Sequence, residues 1–302
     1  MKRVIILLGP TGVGKTGAAI LLAKALDTEI ISADSMQIYK GMDIGTAKPS
    51  LRERSGVRHH MIDIVDPSVS FSTGQFIERI TGVIGALHER GRVPVVVGGT
   101  GLYIKAITRG IFRGPSADWA LREELIETER GEKGALYSYL SGIDPEAAER
   151  IEPNDIRRVI RAIEVCLKSG NKMSLLQEKR TRPLPYDFMR IGLTRERKEL
   201  YGMIERRVDK MMGEGLVGEV ERLLGRSPDR TPLQAIGYKE IASHLRGDIS
   251  LEEAVRLVKR NTRRYAKRQY TWFRREEGIR WLDITGLYTN EEVFAKIKAV
   301  LE

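Results

Sequence analysis

Cysteine is almost missing from this sequence: Cys166 stands alone among 302 residues. One thiol excludes an internal disulfide and suits a reducing compartment, so a cytoplasmic protein is expected. Cys166 falls in a helical pattern, where a small core residue explains it better than a nucleophile does. Histidine is nearly as scarce. His59 and His60 have no Cys/His framework around them, and no zinc site is expected. Long hydrophobic runs are absent too. Val4–Leu8 is too short for a signal-peptide core or a membrane span, and no later stretch reaches span length, so no membrane role is expected. There is no internal repeat and no low-complexity segment.

Acid is scarce in two places only. The net charge is +10, made of +6 over residues 1–114, −2 over 115–253 and +6 over 254–302. Within the last segment, Ala254 to Arg275 holds nine Lys/Arg and no Asp/Glu. In helical register Val255, Val258, Thr262, Tyr265, Gln269 and Trp272 make one seam, and cations cover the rest. Solvated helix faces usually mix signs, so this one-sided stripe points to a polyanion. The aromatics within it suit a folded RNA, or are simply the packing seam.

What the chain does contain starts with GPTGVGKT, residues 9–16, directly after the apolar run. Its glycines let backbone N–H groups converge on phosphate oxygens at a helix N-terminus. Lys15 adds charge and Thr16 offers a hydroxyl to Mg2+. The motif is strong for a diphosphate or triphosphate and silent on what is attached to it. Elements follow in βαβ rhythm: strands Val4–Leu8, Glu29–Ser32 and Val93–Val97, helices Thr16–Leu26 and Gly74–Arg90. That rhythm predicts a doubly wound parallel sheet with ligands at the carboxyl ends of its strands.

Val93–Val97 runs into GGTGLY with no carboxylate, which lowers the weight of a motor or switch ATPase. Gly98, Gly99 and Gly101 are either a tight turn or a close backbone approach to a ligand that aims Thr100 into the site. Asp34 follows the second strand on the same sheet edge, in DSMQ. It either caps a turn or serves as a general base beside the phosphates. Ser35 and Gln37 offer groups that could read a nucleobase edge.

From Pro115 the texture turns to charged, helix-forming sequence broken by Gly142-Ile143-Asp144-Pro145 and Pro153-Asn154-Asp155. A strand at Phe188–Leu193 and helices at Arg195–Met212, Leu216–Leu224 and Leu251–Phe273 come after it. The expected architecture is α/β: a P-loop NTPase-like parallel sheet flanked by helices, with an all-helical insertion. Residues 1–114 and 186–302 form the core with its C-terminal helices, and 115–185 the insertion.

The chain resembles the tRNA dimethylallyltransferases, also called tRNA isopentenyltransferases, along nearly its whole length. The likeness rests on GPTGVGKT, DSMQIYKGMDIGTAKP, HHMIDIVDP, GGTGLYIKA, NDIRRVIRAIEV, EGLVGEV, QAIGYKE and YAKRQYTWFR, in that order. It implies that the phosphate loop (Gly9, Pro10, Thr11, Gly12, Val13, Gly14, Lys15, Thr16) holds dimethylallyl diphosphate with Mg2+ at Thr16. The dimethylallyl group would pass to N6 of the adenosine immediately 3′ of a tRNA anticodon, adenosine-37. By the same resemblance Asp34, Arg207 and Thr100 are the catalytic group: Asp34 is the general base and also touches the tRNA, Arg207 clamps the leaving diphosphate, and Thr100 and Arg122 meet the target region of the tRNA. Further tRNA contacts are implied at Ser35, Met36 and Gln37, and at Arg157, Arg158, Val159, Ile160 and Arg161. They extend to Gln234, Ala235, Ile236, Gly237, Tyr238 and Lys239, and to Lys267, Arg268, Gln269, Tyr270, Thr271, Trp272, Phe273 and Arg274. The helical insertion would clamp the anticodon stem-loop, and a monomer suffices. Gly12-Val13 stands where the family often has Ala-Ser, at backbone-lining positions. No zinc-finger segment of the eukaryotic kind is read, which favours the bacterial form. Two alternatives stay open: a relative that prenylates free AMP, ADP or ATP, for which the nine-charge stripe has no purpose, and a small-molecule kinase or plain RNA-binding module, which leaves Asp34 idle.

Overall fold

Six strands, β1 (Arg3–Leu8), β2 (Ile30–Ala33), β3 (His59–His60), β4 (Val95–Gly98), β5 (Asp187–Thr194) and β6 (Ile279–Asp283), form one parallel sheet in the computed structural model. Their order is β3-β2-β4-β1-β5-β6. The structure describes residues 1–112 and 114–301; Arg113 and Glu302, both inside the expected core ranges, lie outside the described residues. The chain winds from β1 toward β2 and β4 on one side, then returns to add β5 and β6 on the other. The loop after β1 therefore sits at the reversal point of the sheet, where open α/β sheets hold their ligands. Every residue from Val4 to Leu8 is buried, as a central strand covered on both faces requires.

Between β1 and β4 run α1 (Lys15–Ala25), the single turn α2 (Leu51–Arg54) and α3 (Thr73–Glu89). α1 is rich in Ala and Leu and lays Ala18, Ala19, Leu22 and Ala23 on a core that includes Ile5, Leu7, Ile191 and Leu193. α3 starts in a capping box between Ser72 and Gln75 and buries Phe76, Ile80, Ile84 and Leu87 at helical spacing. After β4 come α4 (Gly101–Thr108), α5 (Trp119–Gly131), α6 (Ala135–Ile143), α7 (Pro145–Arg150), α8 (Ile156–Ser169) and α9 (Met173–Arg180). Beyond β5 lie α10 (Arg197–Gly213), α11 (Leu216–Leu224), α12 (Arg230–Leu233), α13 (Tyr238–Leu245), α14 (Leu251–Phe273) and, after β6, α15 (Asn290–Leu301).

The chain divides into two compact units, residues 1–105 with 185–302, and residues 106–184. The second is all helix around Leu136, Leu140, Val159, Ile163 and Val165. It begins before Pro115 because Phe112 packs into that cluster and Gly110 lies against the Arg182 backbone. Asp144 is fully buried there, capping α7 and accepting from the Ser174 hydroxyl at 2.6 Å. Burial and Asp144 push the Cys166 thiol up, away from nucleophilic use. The short edge strands β3 and β6 and the helix α15 have no counterpart in the sequence reading.

Candidate active site

α1 begins on Gly14, at φ +109°, with no side-chain cap and no acid in its first turn. The other long helices of this unit with a Ser N-cap, α3 and α14, fill that position with a hydroxyl. The N–H groups opening α1 are thus left for an anion. The loop before it lines a cleft of about 330 Å³ shared with Asp34, Gly99, Arg207, Tyr265 and Gln269. Lys15 turns its Nζ back onto the Gly9 and Pro10 carbonyls at 3.0 and 2.8 Å. Arg207, from α10, reaches the Thr11 hydroxyl at 3.4 Å. Burial and the neighbouring Arg207 hold the Lys15 ammonium down at about 7, against an opposing pull from Asp34. Burial likewise lowers Arg207, with Asp34 as its counter-charge. Two cations and one carboxylate share the cleft, an excess of positive charge suited to a diphosphate.

Asp34 closes a turn and leaves one carboxylate oxygen open. Its Oδ1 accepts from the Met36 and Gln37 N–H groups at 2.8 and 3.3 Å, closing an Asx turn off the end of β2. Its Oδ2 has no hydrogen-bond partner among the described residues. Thr100, on the loop after β4, accepts from the Ser35 N–H at 3.1 Å, which ties the two strand-end loops together. Gln37 is spent on structure: its Oε1 accepts from the Ser32 hydroxyl and its Nε2 donates to the Thr46 and Ala47 carbonyls. It nonetheless lines the cleft, where its Oε1 keeps a second acceptor site.

Sequence reasoning missed what holds this loop. Glu219, on α11, is buried and accepts from the Asp43, Ile44 and Gly45 N–H groups at 2.9, 2.8 and 3.0 Å and from the Tyr238 hydroxyl at 2.5 Å. Burial and this carboxylate drive the Tyr238 phenol far above its ordinary range. The EGLVGEV and QAIGYKE segments thus brace the Asp34 loop. Ala235, Gly237 and Tyr238 are buried, which leaves Gln234 and Lys239 as the exposed side chains of that segment.

The glycines after β4 have a reason that neither sequence reading offered. Gln269, 6% exposed, sits where a side chain on Gly99 would go, and a Cβ on Gly101 would lie 2.7 Å from the Trp272 ring. They admit α14. Gln269 Oε1 accepts from the Thr11 N–H and its Nε2 donates to the Gly99 carbonyl, both at 2.8 Å. Burial and the charge of Asp34 push the Tyr265 phenol, on the same face, up to about 12, so it stays a donor. The buried residues of α14 are Ala254, Val258, Ala266, Gln269 and Phe273, so the seam is rotated by about one residue from Val255–Thr262–Trp272. The cationic stripe is also shorter than its composition. Arg256 pairs with Glu253, Lys259 with Asp209 and Arg263 with Glu205. Arg264, Lys267, Arg268 and Arg275 meet no carboxylate among the described residues. Arg274 lies over the Tyr270 ring at 4.2 Å.

In the helical unit Arg122 is engaged: it forks onto Glu164 at 2.9 and 2.8 Å and stands over the Trp119 ring at 4.9 Å. Arg161 binds the same carboxylate, which is fully buried. Val159 and Ile160 belong to the core, so only Arg157 and Arg158 of that run are exposed. Among the described residues no three His, Cys, Asp or Glu converge to hold a metal ion. His60 instead meets Glu29 at 2.5 Å and His59 the Val57 carbonyl. Thr16 is exposed and lines the same cleft, and its hydroxyl is the kind of oxygen donor a magnesium ion takes.

The family model described as IPP transferase matches residues 37–276. The tRNA dimethylallyltransferase of Thermodesulfovibrio yellowstonii is 55% identical over 99% of this chain and 98% of its own. That of Acetivibrio thermocellus is 46% identical over 100% and 98%. Among solved structures, the full-length tRNA isopentenylpyrophosphate transferase of Bacillus halodurans has 44% identity and a TM-score of 0.74, covering 100% of this chain and 96% of that one. A eukaryotic dimethylallyltransferase acting on tRNA has 30% identity and a TM-score of 0.81, covering 99% and 78%.

Proposed function

The chain belongs to the IPP transferase family, and from that premise we infer that it is a tRNA dimethylallyltransferase. It transfers the dimethylallyl group of dimethylallyl diphosphate to N6 of the adenosine immediately 3′ of the anticodon. The observation that carries the chemistry is Asp34. One of its oxygens is fixed by the turn and the other is unpartnered among the described residues, in the cleft that the phosphate loop also lines.

The adenine amine is a weak nucleophile because its lone pair is delocalised into the ring. As the bond from N6 to the allylic carbon forms, the carbon–oxygen bond to diphosphate breaks and the N6 proton passes to Asp34 Oδ2. Charge grows on the departing diphosphate. The opening N–H groups of α1, Lys15 and Arg207 meet it there. Thr16 would hold a magnesium ion that, when bound, neutralises part of the same charge. A base stacked in an anticodon loop cannot reach the cleft, so the adenosine is flipped out of its stack. The uncompensated end of α14, with Arg157, Arg158 and Lys239, supplies cations for the tRNA backbone, Gln234 adds a neutral amide, and the helical unit grips the anticodon stem.

The test is mass spectrometry of nucleosides after incubation of unmodified tRNA with the protein, Mg2+ and dimethylallyl diphosphate, with AMP as a parallel acceptor. Prenylated adenosine in tRNA alone is expected. Product on AMP alone would replace this reading with a free-nucleotide prenyltransferase, and no product on either would return ATP to the phosphate loop.

A further inference from the structure

We propose that Gln269 is a positioning residue that couples the tRNA site to the diphosphate site, an inference that rests on the function proposed above. The last three turns of α14 and the residues just after it face both ways. Outward, Arg264, Lys267, Arg268, Thr271, Trp272 and Arg275 line a shallow groove of about 450 Å³, and Lys267 and Arg268 are exposed. Inward, the same turns hold both loops that frame the cleft. Gln269 bonds the phosphate loop through the Thr11 N–H and the β4–α4 loop through the Gly99 carbonyl. Trp272, three residues on, packs against Gly101 of that second loop.

A primary amide is the group this position needs, because it offers an acceptor and a donor at once. Its orientation is fixed by its partners, since an N–H can only donate and a carbonyl only accept. A helix turn is rigid over this distance. A polyanion drawn onto Lys267 and Arg268 therefore biases the side chain next to them, and with it the loop that receives diphosphate. Arg207 holds the other side of the same residue, through the Thr11 hydroxyl. Thr11 is thus gripped at its backbone by the helix that faces the tRNA and at its side chain by the cation that faces the leaving group.

Coupling of this kind is reciprocal: whatever factor tRNA exerts on diphosphate affinity, diphosphate must exert on tRNA affinity. The probes are inorganic diphosphate with Mg2+, which cannot react, and unmodified tRNA, titrated separately and together into the full chain. In the wild type, each ligand is expected to tighten the other by about fivefold or more, in the range usual for coupled sites. Gln269→Glu keeps the acceptor toward Thr11 and loses the donor toward Gly99; Gln269→Leu loses both. Both variants should bring the factor within about twofold of unity, whatever each does to the affinity of either ligand alone.

A wild-type factor of one, or an unchanged factor in both variants, would overturn the proposal. Loss of diphosphate binding or of the folded state in both variants would also overturn it, by making Gln269 a brace and nothing more. A wild type that binds neither probe would remove the proposed function itself, and this inference with it. That outcome is distinguishable because it appears before any substitution is made.

Discussion

In the first half of α14 Arg256 meets Glu253 at 2.6 Å, Lys259 meets Asp209 at 2.5 Å and Arg263 meets Glu205. In its last turns and just beyond its end, Arg264, Lys267, Arg268 and Arg275 reach no carboxylate among the described residues. One stripe carries one kind of charge, and carboxylates from the first turn of α14 and from α10 cancel three of its nine cations. The loop beside the cleft repeats the contrast with carboxylates. Glu219 is buried with four donors on it, whereas Asp34 has one oxygen bonded and one open. Groups whose partners lie inside the protein hold it together. Groups left open in a cleft or on a face are the ones with work to do on a ligand.

The sharpest way to break this contrast is Asp34→Ala. Turnover in single-turnover assays should fall by about 100-fold or more with tRNA still bound, while the melting temperature falls modestly because the Oδ1 acceptor of the turn is also lost. Unchanged rates would deprive the open oxygen of its role. The next largest effect belongs to the triple change Arg264→Ala, Lys267→Ala and Arg268→Ala. Each cation on a phosphate contributes about one unit to the log–log salt slope of binding, so the slope should flatten by about three and affinity drop at every salt concentration. A slope equal to wild type would remove the end of α14 from the RNA interface.

How much of this was legible in the sequence follows from how local each feature is. The phosphate loop is eight consecutive residues between a strand and a helix, so its geometry is written in one place. Asp34 could be placed at a strand end, and of its two readings the structure shows the turn, with the second oxygen left open for the other. The partners of α14 could not be read, because Arg263 pairs across 58 residues and Gln269 reaches Thr11 across 258. Nothing in a helical wheel shows a carboxylate arriving from α10. Glu219 was hidden for the same reason, since it binds Asp43 from 176 residues away. The glycines of GGTG pointed to close approach, but the approaching group is Gln269 and the Trp272 ring, from another helix. β6 was missed because Ile279–Asp283 is an edge strand with both faces partly exposed, and its sequence alternates too weakly.

Lys15 stands between the closed and the open class, since its ammonium rests on two carbonyls of its own loop until an anion arrives. Burial and Arg207 lower it from 10.5 to about 7. Between those values the unfolded chain binds the proton and the folded one does not, so this residue makes stability rise with pH across that window. A diphosphate favours the charged form, and its binding above about pH 7 must take up a proton. The dissociation constant of dimethylallyl diphosphate is therefore expected to rise between pH 7 and 9, by at most about tenfold per unit, and to flatten in Lys15→Arg, whose charge does not titrate there. A wild-type profile as flat as the variant's would show that Lys15 is charged throughout.

The smallest effect is expected where the charges are already closed. Arg256→Ala with Lys259→Ala removes two cations from the same stripe, and by charge count alone it should weaken tRNA binding nearly as much as two of the three changes at the far end. The ion pairs say otherwise. Glu253 and Asp209 already neutralise these two residues, and Glu253 and Asp209 would remain to repel phosphate in the variant. Pairs this exposed contribute about 1 kcal/mol or less to stability. The salt slope should therefore stay within error of wild type, with any loss of affinity confined to low salt, where the two uncovered carboxylates are least screened. A slope reduced by about two would mean that RNA displaces both carboxylates on binding, and the division between the halves of α14 would then hold only for the free protein.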